Sequence, residues 1–252
     1  MKTKTRAFDI EESLSRIDEV LNASLDIEDS SVIPDKDSLT YTSGKRVECT
    51  AIFVDLRGSS KFVESSRQPK SLGKLYQTYI REVVAIMNSF DTCEQINIVG
   101  DCVSAVFSGN TKEKNIVKDV LQAASMVQGI MKVLNKKYKK KWGDIEKVQA
   151  GVGIAKGEAL VLKAGLPLTD VKETIYMGEV VNQASKMCDL AYKDCADAIC
   201  VTKDIYLASR IEANSDTKET FQDFLKSSKI DNNNKEYHFA TFYRTDIADS
   251  IQ

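Results

Sequence analysis

The sequence predicts an α+β fold, a mostly antiparallel sheet with helices packed on one face of it, and two observations lead to that class. After a first helical stretch, the pattern along the 252-residue chain runs strand, helix, helix, hairpin, helix, hairpin, strand, helix, strand, helix, strand. That order is neither strict strand–helix alternation nor an all-β succession. The long helical stretches are also apolar on one side only, as a helix lying on a sheet requires.

Each element has its own signal. Phe8 to Leu25 places Ile10, Leu14, Ile17, Val20 and Leu21 at helical spacing, an N-terminal helix available to pack on a partner subunit. The polar stretch Asp26 to Ser43, with Pro34, reads as a linker, so residues 1–44 are set apart from a catalytic-sized domain at 45–252. Val47 to Asp55 is a buried strand running into the turn Arg57-Gly58-Ser59-Ser60, and Ser59 or Ser60 can cap a short helix. Past Pro69, Leu72 to Phe90 carries a stripe of Leu72, Leu75, Tyr79, Val83, Ile86 and Phe90. Ile96 to Asp101 and Val103 to Phe107 make a hairpin with Gly100-Asp101 at its tip. Asn115 to Tyr138 is the longest helix, and its basic end, Lys136 to Lys141, complements the helix dipole. Val148 to Lys156 and Glu158 to Lys163 read as a second hairpin turning at Gly157. A loop with Pro167 and Asp170 precedes the strand Glu173 to Met177, and Gly178 opens a helix through Tyr192. Ala198 to Val201 is a short strand, Thr202 caps a helix from Lys203, and Asp231 to Asn234 turns the chain into a closing strand, Tyr237 to Tyr243.

Composition narrows the chemistry. A formal net charge of -2 gives no general case for binding nucleic acid or a membrane. The six cysteines lack CxxC spacing, and His238 is the only histidine, alternating with aromatic residues on a strand. These features argue against zinc and against Ser-His or Cys-His catalysis. With neither a secretory leader nor an apolar run long enough to span a bilayer, the chain reads as reduced and cytoplasmic, its cysteines serving as small buried residues.

Two carboxylates stand out. Asp55 ends the first strand and Asp101 tips the hairpin, so neighbouring strands would bring both to one end of the sheet. A pair of hard oxygen ligands suits Mg²⁺, which is usually held by one or two carboxylates with substrate phosphates and water. Read singly, each is also an ordinary turn or cap residue.

Four segments in order then resemble the class III nucleotidyl cyclases: AIFVDLRGSS, NIVGDCVSAVF, QAGVGIAKGEALVLKAG and YMGEVVNQASKM, across Val47 to Val201. The resemblance implies a ferredoxin-like cyclase domain and a nucleoside triphosphate substrate cyclised with two Mg²⁺ or Mn²⁺ ions. It makes Asp55, Asp101 and the carbonyl of Leu56 the metal ligands, and puts Gly58, Ser59 and Ser60 around the triphosphate. Asn182 would orient the ribose, and Lys186 stands where the family usually has an arginine for the α-phosphate. It also implies a head-to-tail homodimer in which each site draws on both chains.

Two departures bear on the base. The family's first base-reading position is Asn97 here and the second is Ile175, neither of them a purine reader's usual residue. DLRGSS, with Arg57, also resembles the bacterial pyrimidine cyclases of anti-phage signalling. That implies cyclic UMP, or next cyclic CMP, read by a separate effector protein, with Arg57 or the Leu162 to Asp170 loop filling the space of the missing second ring. The alternatives are an adenylate or guanylate cyclase with an unusual pocket, and a weak domain that only binds nucleotide.

Overall fold

The computed structural model describes residues 7–35, 38–58, 69–109, 115–143, 145–166, 172–213 and 216–250. Its elements are α1 (Ile10–Asn22), β1 (Asp26–Ser30), β2 (Ser43–Arg57), α2 (Pro69–Met87), β3 (Cys93–Val99), β4 (Cys102–Phe107), α3 (Ile116–Trp142), β5 (Gln149–Gly165) and β6 (Lys172–Met177). They continue with α4 (Glu179–Leu190), β7 (Ile199–Thr202), α5 (Lys203–Ala208), α6 (Phe221–Phe224), β8 (Ser227–Ile230), β9 (Glu236–Ala240) and α7 (Thr245–Ala248). One sheet runs β3-β4-β2-β5-β7-β9-β8, with β1 added to β2 and β6 to β5. It is antiparallel except where β1 meets β2 and β7 meets β5.

Alternation along β2 divides the core. Ile52, Val54 and Leu56 join Val103, Ala105 and Phe107 of β4 under Leu75, Tyr79 and Val83 of α2 and Val120, Ala124 and Val127 of α3. Residues of the other parity, Val47, Cys49 and Ala51, pack with Val106, Ala155, Ala159, Val180 and Ala184. Helices cover both faces rather than the one expected, α2 and α3 on one and α4 on the other, because successive side chains of a central strand point to opposite sides and both sets here are apolar.

Several expectations are corrected. Val148 to Lys163 is not a hairpin: β5 runs unbroken through Gly157, in register with β2 from Arg57 opposite Gln149 to Gly44 opposite Leu162. Strand pairing over that length outweighs the local turn signal of Lys156-Gly157. The linker contains β1, whose Lys45–Glu28 and Arg46–Asp29 ion pairs lie across the β1–β2 pairing. α4 stops at Leu190, two residues before Tyr192. Thr202 occupies the N-cap of α5 without a capping hydrogen bond from its side chain, whereas Asn115 does cap α3, accepting from Lys118 N. α1 buries none of its residues, and Val20 and Leu21 are exposed. The proposed cap residues Ser59 and Ser60 lie outside the described residues.

Candidate active site

Asp55 reaches its position because β2 is fixed on every side. It lies opposite Gly151 of β5, and the residue before it, Val54, accepts a hydrogen bond on its carbonyl from the buried Tyr79 hydroxyl of α2 at 3.2 Å. The β3–β4 hairpin turns at Gly100, whose φ of 64° is left-handed and favours glycine. Ile98 then pairs with Val103, which lies beside Val54, so the sheet brings Asp101 to Asp55 as the spacing predicts. Burial, and then the charge of Asp101, raises the Asp55 pKa from its ordinary value, against the pull of Arg57. Asp101 Oδ2 is buried without a hydrogen-bond partner. An orphaned carboxylate oxygen beside a carboxylate that resists ionising is an arrangement a divalent cation relieves. Among the described residues no group of three or more His, Cys, Asp or Glu side chains could hold a metal, so an ion here would take its remaining ligands from backbone, water and substrate. Leu56 follows with its side chain in the core.

Arg57 was expected to reach the substrate, and the structure turns it elsewhere. Its Nη1 donates to Asp55 Oδ2 at 2.8 Å and its Nε to the Ala191 carbonyl at 2.9 Å, while Nη2 meets the Cys188 carbonyl. Its side chain is 9% exposed. The space exists because residue 151 is glycine: a Cβ there would lie 2.0 Å from Arg57 Nη2. Arg57 thus ties Asp55 to the carboxyl end of α4, where exposed carbonyls attract a cation.

α4 lies directly on the sheet. A Cβ on Gly153 would stand 1.9 Å from Cys188 N and 2.2 Å from the Ala184 carbonyl. With Val180, Ala184, Met187 and Cys188 buried, Asn182 and Lys186 fall four residues apart on the outer, exposed side. They point away from the sheet and hence from Asp55 of the same chain. Neither makes a side-chain hydrogen bond or ion pair among the described residues. Lys186 instead lines a cavity of about 370 Å³ with Lys203 of α5, Lys235 of the β8–β9 turn and Glu179. Lys235 was not singled out from the sequence, since a lysine after a run of asparagines carries no signal until the hairpin folds it against α4, where it pairs with Glu179.

On the sheet's edge, Asn97 is half-buried in β3 opposite Ser104. Ile175 is half-buried in β6 opposite Leu162. Its neighbour Tyr176 has the other parity, packs against the buried cluster that includes Val106, and shares a cavity of about 380 Å³ with Glu94 of β3. Tyr176 is thus a further residue that faces Asn97's strand across this cavity and that the sequence reading passed over. Gly58 has φ 69°, so the turn after Arg57 is left-handed. Residues 167–170, the last four of the nine in the loop considered for the base pocket, lie outside the described residues.

Residues 42–238 match the adenylate and guanylate cyclase catalytic domain. The chain belongs to that family. It is therefore a nucleotidyl cyclase of class III, and its curated relatives include a uridylate cyclase of Gulbenkiania mobilis, 50% identical over 98% of this chain and 97% of that one. A uridylate cyclase of Treponema porcinum is 31% identical over 71% of this chain and 61% of that one. Among solved structures, the adenylyl cyclase CyaB from P. aeruginosa superposes with a TM-score of 0.63 at 18% identity, covering 81% of this chain and 98% of that one. The guanylyl cyclase Cya2 gives 0.62 at 15% identity over 80% and 95%. At such identities these two attest the cyclase fold, as the sheet and its two helical layers do. Among the described residues no helix is long and apolar enough to cross a membrane.

Proposed function

We propose that this cyclase converts a pyrimidine nucleoside triphosphate, UTP before CTP, to its 3′,5′-cyclic monophosphate at two equivalent sites shared by two copies of the chain. The observation that carries the shared site is the separation of its halves: the Asp55–Asp101 pair closes one end of the sheet, while Asn182 and Lys186 face outward from α4. Two copies related head to tail present one chain's outward pair to the other's carboxylates, and twofold symmetry repeats the arrangement. The uridylate cyclase relatives support the choice of base, as do Asn97 and Ile175 in place of purine-reading residues.

The reaction joins the ribose 3′ oxygen to the α-phosphorus. The bond from that phosphorus to the bridging oxygen breaks, pyrophosphate leaves with the electron pair, and the hydroxyl proton passes to solvent. Asp55, Asp101 and the Leu56 carbonyl would hold two Mg²⁺ or Mn²⁺ ions, which would supply positive charge to ease loss of the hydroxyl proton and departure of pyrophosphate. The protein supplies position and field rather than a nucleophile. Asn182 orients the ribose, Lys186 offsets charge on the α-phosphate as a point cation rather than a planar fork, and Gly58, Ser59 and Ser60 bind the triphosphate. Arg57 acts through Asp55, holding its carboxylate in place. Asn97 reads the base. The cyclic product serves as a second messenger in anti-phage defence, made in the cytoplasm and read by a separate effector.

Incubating the protein with each of the four nucleoside triphosphates and Mn²⁺ or Mg²⁺, and identifying products by mass, tests the reading. Cyclic UMP is the expected main product. A clean ATP or GTP cyclase would overturn the choice of base and leave the shared site standing.

A further inference from the structure

Two residues before Asn97, β3 carries a second amide. Gln95 is 6% exposed and sits opposite Val106, as Asn97 sits opposite Ser104, so the two side chains share one face of the strand. Gln95 Nε2 donates to Asn97 Oδ1 at 2.9 Å. Gln95 Oε1 is buried with no partner. The reverse arrangement, with Asn97 donating to Gln95 Oε1, would leave both N–H bonds of a buried Nε2 unmatched, where the observed one leaves a carbonyl oxygen and a single N–H. Unmatched buried donors are the rarer defect in folded proteins.

We propose that Gln95 is the positioning residue that sets the choice between pyrimidines. By occupying Asn97 Oδ1 it leaves Asn97 Nδ2 as the group that meets the base, so the pocket offers a donor and selects the 4-carbonyl of uracil over the 4-amino group of cytosine. The inference rests on Asn97 being the base reader. Uracil and cytosine differ at ring positions 3 and 4. The exocyclic group at position 4 projects from the ring on the side away from the sugar, whereas N3 is recessed between two substituents, so a side chain on a strand face meets position 4 first. An amide free to turn serves either base by flipping. One held at its oxygen by a buried neighbour does not, and a donor facing a donor leaves two polar groups unmatched, a loss of about 10- to 100-fold in relative kcat/KM.

The experiment is competition between UTP and CTP, read as the ratio of the two kcat/KM values for wild type, Gln95→Leu and Gln95→Glu at pH 9. Leucine releases the Asn97 amide, and the UTP preference should fall at least tenfold toward parity. Ionised glutamate only accepts hydrogen bonds, so it turns Asn97 Nδ2 inward and Oδ1 outward, and CTP should become the better substrate. A merely structural role would lower both substrates together and leave the ratio unmoved; a ratio within twofold of wild type in either active variant overturns the proposal. Should both variants fail to fold, Asn97→Asp with Gln95 intact decides. One carboxylate oxygen still takes the Gln95 donor and the other offers the base an acceptor, so CTP should gain, and an undiminished UTP preference overturns the proposal. Failure of the underlying pyrimidine reading shows separately, in the wild type alone, as cyclisation of ATP or GTP without a pyrimidine product.

Discussion

Asp55 and Asp101 stand at the end of two paired strands with their surroundings already built, whereas Asn182 and Lys186 stand on the open side of a helix without a side-chain hydrogen bond or ion pair among the described residues. The first pair is under electrostatic tension: one carboxyl is pushed toward its neutral form by burial and by the other's charge, and an oxygen of the other is buried without a partner. The second pair is exposed and relaxed. A site meant to gather cations and a polyanion is best preorganised where charge accumulates. On the proposed reading, groups that arrive from a second subunit stay exposed until it docks.

The contrast is broken most severely at the carboxylates. Asp55→Ala or Asp101→Ala should lower cyclisation by on the order of a thousandfold or more, since each removes charge from a site whose field does the work, while far-UV circular dichroism stays as in wild type. The Mn²⁺-induced rise in Tm expected of the wild type should vanish in both. Near-normal product formation by either variant would exclude a two-metal site at these residues.

The division between halves is tested next. Mixing Asp101→Ala chains with Asn182→Ala chains should recover about a quarter of wild-type activity, because random pairing makes half the dimers mixed and each mixed dimer keeps one intact site of two. No recovery from demonstrated heterodimers would mean that each site is built within one chain.

Between the halves lies Arg57, which touches both Asp55 and the end of α4. Arg57→Met should destabilise the protein by about 3 kcal/mol, the low end for breaking a buried ion pair because Asp55 stays partly open to water, and chemical denaturation would show it. Arg57→Lys should recover only part, a point charge being unable to serve the carboxylate and two carbonyls together.

The smallest effects separate two glycines of β5. Gly153→Ala pushes a methyl into the backbone of α4 and should cost about 1–3 kcal/mol as overpacking, along with activity, by displacing Asn182 and Lys186. Gly157→Ala meets Val180 at an ordinary 3.4 Å and should leave Tm within a few degrees. Equal effects at both would mean that α4 is not seated as closely as Gly153 implies.

How much of this was legible beforehand follows from the range of each interaction. The α+β class, the Asp101 hairpin, the stripes of α2 and α3 and the Asn115 cap are written in runs of a few residues, where periodicity and turn chemistry speak directly. So is the placement of Asp55 and Asp101 at strand ends, and of Asn182 and Lys186 four apart on a helix. The unbroken course of β5 was hidden, because the local signal of Lys156-Gly157 is that of a turn and only β2, about a hundred residues earlier in the chain, keeps the strand straight. β1 was hidden because a polar five-residue stretch becomes a strand only when an edge is offered to it. Local sequence thus sufficed to place the proposed site residues on their elements and on the correct face of each. Tertiary structure alone decided that Arg57 serves Asp55 and two carbonyls more than 130 residues away, and that Gln95 holds the oxygen of Asn97. A side chain's type and spacing limit what it can bond, but the partner that reaches it is chosen by the packing of distant segments.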